Sequence, residues 1–215
     1  MNAATNSSSS NQAGPSPRPI TAKGRATRKR LIAAAQDELR RNGTLEIADV
    51  AAAAGVAQSV IHRYFGSKAG LVETVVAEFY DDYDNAVFLA PLAPEATWIE
   101  RETLRIELEV AFLYEHPLGR RVAAGLLQEA AATRVDAERQ RRHADMAARN
   151  IRHGQHTGEL PTDINADLAG AAIIGALRSV LAAALSLDEP PSRSEVVTTV
   201  TRLSRALLHS PPHPA

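Results

Sequence analysis

The 215-residue chain has no cysteine. This excludes disulfide scaffolds, thiolate metal centres and cysteine nucleophiles, and it fits a reducing compartment, the cytoplasm. Aromatic residues are scarce: one Trp, four Tyr and four Phe. Any core must be built mainly from Ala, Leu, Val and Ile. No proline occurs between Pro19 and Pro91, and the later ones fall at 91, 94, 117, 161, 190, 191 and the extreme C-terminus, where they punctuate helices. No stretch alternates apolar and polar over strand length, so no sheet is predicted. No secretory leader is read in the Asn-, Ser- and Gly-rich start. The one long apolar run, ADLAGAAIIGALRSVLAAALSL at 166–187, begins with Asp167 near its start and holds Arg178 in its middle. A spanning helix needs about 20 nearly uncharged residues, so this run reads as a buried helix of a soluble protein, with no membrane partner. Also missing are a placed acid/base pair, a nucleophile elbow and a phosphate-cradling glycine loop. Carboxylates one or two positions apart, such as Glu107 and Glu109, do not face one another on a helix. No catalytic residue, cofactor or metal ligand is assigned, and no enzymatic activity is expected.

What is present is a charge split and a helical pattern. From Arg18 to Lys68 there are 10 Lys and Arg against 4 Asp and Glu; from Ala69 onward there are 14 against 21. A basic N-terminal part on an acidic remainder points to a polyanionic partner for the first part. Residues 1–20 are of low complexity and too poor in large apolar groups to offset ordering entropy. Apolar spacing then predicts an all-α chain with helices at 25–42, 47–54, 58–65, 67–89, 95–115, 118–131, 134–156, 164–187 and 193–209. Asn42-Gly43, Gly55 and Gly66 end the first three, and Ser67 is placed to cap the fourth.

Two helices of about eight residues around a Gly-centred turn form a helix-turn-helix, and 25–42 supplies the third helix that such a pair needs. Leu31, Ala34, Ala35, Leu39, Val50, Val56, Val60, Ile61 and Phe65 are the expected small core. Gln58, Ser59, His62, Arg63 and Tyr64 remain as the outer face of 58–65. Gln can pair with adenine and Ser can read several bases, while His, Arg and Tyr carry donors for phosphates or base edges. Lys68 adds a charge at the start of the next helix, where backbone N–H groups also point outward.

The segments TRKRLIAAAQDELRRNG and IADVAAAAGVAQSVIHRYFGSKAGL, read together, resemble the DNA-binding domain of the tetracycline-repressor (TetR) family of bacterial transcription regulators. The matching features are Thr27-Arg28, Ala34-Ala35, Asp49-Val50-Ala51, Ala54-Gly55-Val56, Tyr64-Phe65 and Ser67-Lys68. Glu46 and Ala57 depart from the family's usual cap residues, Ser59 stands where Gly is frequent, and His62 where Tyr is frequent. The resemblance implies DNA contacts from Gln58, Ser59, His62, Arg63, Tyr64 and Lys68, with Ile47, Ala48 and Thr27 near phosphates. It implies a helix-turn-helix domain at 23–68 and a helical ligand-binding and dimerisation domain at 69–210, with tails at 1–22 (disordered) and 211–215.

In the second domain the resemblance implies a homodimer through 164–187 and 193–209. The apolar faces available are Leu168, Ala171, Ala172, Leu177, Val180, Leu181 and Leu185, with Gly170 and Gly175 allowing close approach, and Val196, Val197, Val200, Leu203, Leu207 and Leu208. It further implies an unknown small-molecule effector that releases a repressor from a near-palindromic operator. Phe79, Tyr83, Trp98, Phe112, Tyr114, Leu126 and Met146 are the candidate ligand-binding residues, although apolar residues at helical spacing are more often plain core. His153 and His156, with His143 ten residues earlier, could hold a metal or could mark a helix end favoured by the dipole. Arg139-Gln140-Arg141-Arg142 reads as a solvated face. The alternative function is a helical bundle that binds a small molecule or metal without specific DNA recognition.

Overall fold

The computed structural model describes residues 21–93 and 95–208; the expected tail at 211–215, and that at 1–22 up to residue 20, lie outside them. All secondary structure among the described residues is helical: α1 Ala22–Asn42, α2 Ile47–Ala54, α3 Gln58–Phe65, α4 Lys68–Tyr83, a π-helical turn Asp84–Phe88, α5 Trp98–Glu115, α6 Gly119–Ala123, α7 Ala130–His156, α8 Ala166–Ser186 and α9 Arg193–Leu208.

The N-terminal helices start and stop for local reasons. The Thr21 side chain accepts from the Gly24 amide, so α1 begins at Ala22, three residues before the predicted start at 25. Gly43 and Gly55 adopt left-handed conformations at φ 74° and 65°, where a Cβ is disfavoured, and close α1 and α2. Neither Glu46 nor Ala57 makes a side-chain cap, as their residue types predict. Ser67 caps α4 by accepting from the Gly70 amide. A Cβ on Gly70 would lie 2.1 Å from the Phe65 carbonyl oxygen, so only glycine lets α4 start directly against the end of α3. We expect Gly70→Ala to tilt this junction and destabilise the protein by about 1–3 kcal/mol, the usual range for overpacking; urea unfolding measures it.

Two expectations are corrected. The helix read at 67–89 changes to π geometry after Tyr83, a feature frequent at functional sites. The helix read at 118–131 is the short α6, followed by an irregular stretch at 124–129; Gly125 sits at φ 65° there, and Leu126 donates back to the Arg121 carbonyl. The other helices match within a few residues: α5 starts at Trp98, where Thr97 and Glu100 form a capping box, and α7 starts at Ala130.

One apolar core runs from Leu31, Leu39, Val50 and Ile61 through Leu71, Val75 and Phe79 of α4 into Ile106, Leu118, Leu181 and Val200. A second, smaller core gathers Trp98, Ile151, Leu160, Ile173 and Leu208 at the far end. By length and composition α8 could cross a membrane, with mean hydropathy 1.9. Here it packs along α7, and Gly170 allows the contact: a Cβ would lie 2.7 Å from the Ala148 nitrogen. Arg178, midway along α8, makes a two-pronged bond to Asp136 at 2.7 and 3.0 Å.

Candidate DNA interface and effector cavity

The α3 face splits as its spacing predicts. Ile61 is fully buried and Val60 and Phe65 pack against the core, while Gln58, Ser59, His62 and Arg63 are exposed and Tyr64 is half-buried. The Arg63 guanidinium lies 5.2 Å from the Tyr64 ring centroid and has no carboxylate partner among the described residues. His62 Nδ1 is 3.3 Å from the Gly66 carbonyl. Ala48 is exposed and Ile47 half-buried at the start of α2. Thr27 is half-buried and donates its hydroxyl to the Lys23 carbonyl. Arg28, one residue on, turns inward: it pairs with Glu78 of α4 at 3.0 Å and lies over Phe65.

Lys68 is held from behind. Its ammonium is 3.1 Å from Glu129 and 3.5 Å from Glu46. Partial burial acts to lower its pKa, but the two carboxylates prevail and hold it above the ordinary lysine value. Glu129 also accepts from the Leu45 amide at 2.9 Å. On the same irregular stretch, Gln128 donates its amide to the Gly43 carbonyl, and Arg121 donates to the carbonyls of Arg40 and Arg41 at the open end of α1. The segment 121–129 therefore closes the C-terminus of α1 and joins the two parts of the chain. Leu126 lies here, exposed, with its carbonyl against Gly43.

In the second part, two cavities of about 50 and 150 Å³ are both lined by Glu109 of α5. The smaller is walled by Phe79, Tyr83, His143 and Arg178, the larger by Phe88, Arg105, Met146 and Asn150. Of the seven proposed ligand-contacting residues, Phe79, Tyr83 and Met146 line these cavities. Phe112 stands behind, 5.5 Å from both the Phe79 and Tyr83 rings. Trp98 belongs to the second core, with its indole N–H on the Asn150 carbonyl. Tyr114 bonds the Pro191 carbonyl. Trp98, Tyr114 and Leu126 line neither cavity.

Around the cavities the ionised groups are paired. Arg139 binds Asp84 at 2.8 Å and Asp81 at 2.6 Å, so the basic run read as solvated turns its first member inward. His143 is buried and its Nε2 lies 2.7 Å from Asp84; burial lowers its pKa against the opposing pull of that carboxylate, and the neutral ring stacks on Tyr83. Asp136 holds Arg178 and also accepts from Gln140 and from the Tyr80 hydroxyl. Glu102 pairs with Arg105 at 2.5 Å. Glu109 has no cationic partner among the described residues, and burial pushes it up to about 7, against the lowering effect of the Tyr83 hydroxyl. Among the described residues no three His, Asp or Glu side chains gather as a metal site; His153 and His156 are exposed and remote from His143.

Residues 31–75 match the sequence profile of "Bacterial regulatory proteins, tetR family". The chain carries a tetR-family DNA-binding domain. Solved structures extend the likeness beyond it. The regulator FadR of Bacillus subtilis, in complex with stearoyl-CoA, is 18% identical with a TM-score of 0.67, covering 84% of this chain and 99% of its own. A tetR-family protein from Rhodococcus RHA1 is 16% identical at 0.64, covering 85% and 96%. AibR, in complex with isovaleryl coenzyme A and operator DNA, is 12% identical at 0.61, covering 82% and 97%. These likenesses establish the fold of both parts. None of the curated proteins matches the sequence.

Behind the tetR-family domain, α8 and α9 sort their apolar residues into two faces. Leu177, Leu181, Leu185, Val196, Val200 and Leu208 are buried within the chain, and so is Gly170. Their apolar spacing fits either a partner chain or the chain's own core, and the fold buries these residues inside the chain. Leu168, Leu187, Leu203 and Leu207 are exposed, four of the seven large apolar residues that the described surface shows. Ala171, Ala172 and Gly175 lie exposed on the same helix. Glu109, Asp84, Asp136 and Glu129 were missed as site residues. Glu109 could have been found: Glu102, Ile106, Glu109, Val110 and Leu113 fall at helical spacing on one stripe, which buries the two carboxylates with the apolar groups.

Proposed function

We propose that the protein is a cytoplasmic, homodimeric transcription regulator that binds a near-palindromic operator and leaves it when a small molecule occupies the cavities beside Glu109. The observation that carries this is the outward face of α3, where Gln58, Ser59, His62 and Arg63 stand exposed on a helix fixed by a buried Ile61. A recognition helix reads base edges with such side chains, and two of them in a dimer fit half-sites about 34–36 Å apart or a multiple of that. Support for the two ligands comes from the similar AibR, solved with an acyl-CoA and operator DNA, and FadR, solved with stearoyl-CoA. The exposed leucines of α8 and α9 supply a self-complementary surface. In this reading Thr27, Ile47, Ala48, Tyr64 and Lys68 flank the base-reading face, the domains divide at 68/69, and the protein catalyses no reaction.

Incubation with a random-sequence DNA library, followed by sequencing of what is retained, tests it. An enriched near-palindrome is expected. No enrichment from a folded dimer, with and without added effector, would favour a ligand-binding bundle without specific DNA recognition. On the selected site, Arg63→Ala and Lys68→Ala should each weaken binding about tenfold and reduce the salt slope by about one, with the dimer intact. Unchanged affinity in both would remove this face from the contact.

A further inference from the structure

We infer that the effector is a small organic cation, a protonated monoamine with a body of about one ring, whose ammonium pairs with Glu109. The inference rests on the regulator reading only for the word effector; the site itself stands on its own geometry.

Glu109 is 9% exposed and lines both cavities. The charged and titratable groups that face it come from each packed element: Tyr83 and Asp84 at the end of α4, Glu102 and Arg105 on α5 itself, Arg139 and His143 on α7, and Arg178 on α8. Arg105 is committed to Glu102, Arg178 to Asp136, and Arg139 and Arg142 together to Asp81 and Asp84. The neutral His143 adds no charge. These pairings leave one carboxylate in excess, Glu109, and it lines both cavities. A buried carboxylate without a counter-charge is costly, and a ligand that brings the missing cation recovers that energy. A carboxylate ligand would meet like charge, and a neutral ligand would leave the carboxyl protonated. Phe88 and Met146 wall the larger cavity with soft apolar surface; about 150 Å³ holds a benzene-sized body. The Tyr83 ring beside Glu109 adds an aromatic wall for the cation.

The pH signature follows. Free Glu109 titrates near 7, whereas the bound ammonium needs it ionised. Apparent amine affinity should fall about tenfold from pH 8 to pH 6. A neutral isostere should show no such slope.

Calorimetric titration of the full-length protein with benzylamine, 2-phenylethylamine and isoamylamine, each beside its alcohol and carboxylate isosteres, makes the test. At least one amine should bind about tenfold or more tighter than its alcohol at pH 8, and its affinity should fall at pH 6. Glu109→Gln should erase both the preference and the slope while keeping the alcohol's affinity. Glu109→Asp, which keeps the charge, should keep the preference. If no amine binds, if an alcohol or carboxylate binds as tightly as its amine, or if Glu109→Gln keeps the preference, the inference is wrong. Operator selection is scored separately: a protein that selects DNA but ignores amines refutes the ligand class alone, and one that binds amines but no DNA refutes the regulator reading alone.

Discussion

A Leu203→Glu/Leu207→Glu double variant should be a folded monomer with weak operator binding. Both side chains are exposed in the isolated chain, at 46% and 40%, so the substitution costs the monomer little. In the proposed two-fold dimer this face is buried against its copy, and four leucines leave water together. Full burial of a leucine stabilises by about 1.5–3 kcal/mol; with less than half of each still exposed, the four together contribute about 3–5 kcal/mol, to which Leu168 and Leu187 add. Four carboxylates at the same place add repulsion. A monomer must engage each half-site alone and loses the linkage that raises avidity by about 10²–10⁴. Light scattering should read about half the wild-type mass, and fluorescence anisotropy on the selected operator should show at least a hundredfold loss. A wild-type mass would take α8 and α9 out of the dimer contact.

Replacing Glu109 by glutamine should stabilise the protein at pH 8 and leave it unchanged near pH 4.5. The sign comes from the raised value. The carboxyl titrates near its ordinary 4.5 in the unfolded chain and near 7 in the folded one. Below 4.5 both states are protonated, and the folded state pays nothing for the group. Between 4.5 and 7 the unfolded state ionises first, and stability falls with rising pH. Above 7 the full penalty applies, up to about 3 kcal/mol. Glutamine keeps the shape without the charge, so its stability should not fall over that window. His143 acts in the other direction: its lowered value makes the fold lose stability as pH drops below the ordinary histidine range. That contribution is common to both proteins and cancels in their difference. Urea unfolding of the pair at pH 4.5, 6 and 8 gives the curve; a difference that does not grow with pH would mean that Glu109 is not held as the geometry implies.

The N-terminal part was legible because its signals are local. Gly43 and Gly55 stop helices by backbone conformation, Ser67 caps by its own hydroxyl, and α2 and α3 fall at 47–54 and 58–65 as read. The second part was less so because its signals are distant in sequence. GLLQEAAAT reads as helix, but 124–129 is drawn out by Arg121 on the carbonyls of α1, Gln128 on Gly43 and Glu129 on Leu45. Nothing near Asp84 announces a π turn. The cavity was half legible: the periodicity that places Phe79 and Tyr83 inward also applies to Glu102 and Glu109. What no local pattern supplies is which carboxylate finds a cation, since the partners of Asp84 and Asp136 lie 42 to 59 residues away. The leucines of α8 and α9 were legible as apolar but not as two faces, because packing of α8 against α7, and of α9 against α5 and α8, decides which stripe is spent inside the chain.

The apolar core that passes without a break from Ile61 through α4 to Leu181 makes the DNA-reading part a poor module. Its innermost side chains pack into the same cluster as residues of the second part, as one half of a mould meets the other. A chimera that joins the first 68 residues to another regulator's helices would therefore inherit mismatched surfaces along α4. New specificities on this scaffold are better reached by changing the exposed residues of α3, which touch no part of that core, than by exchanging whole domains.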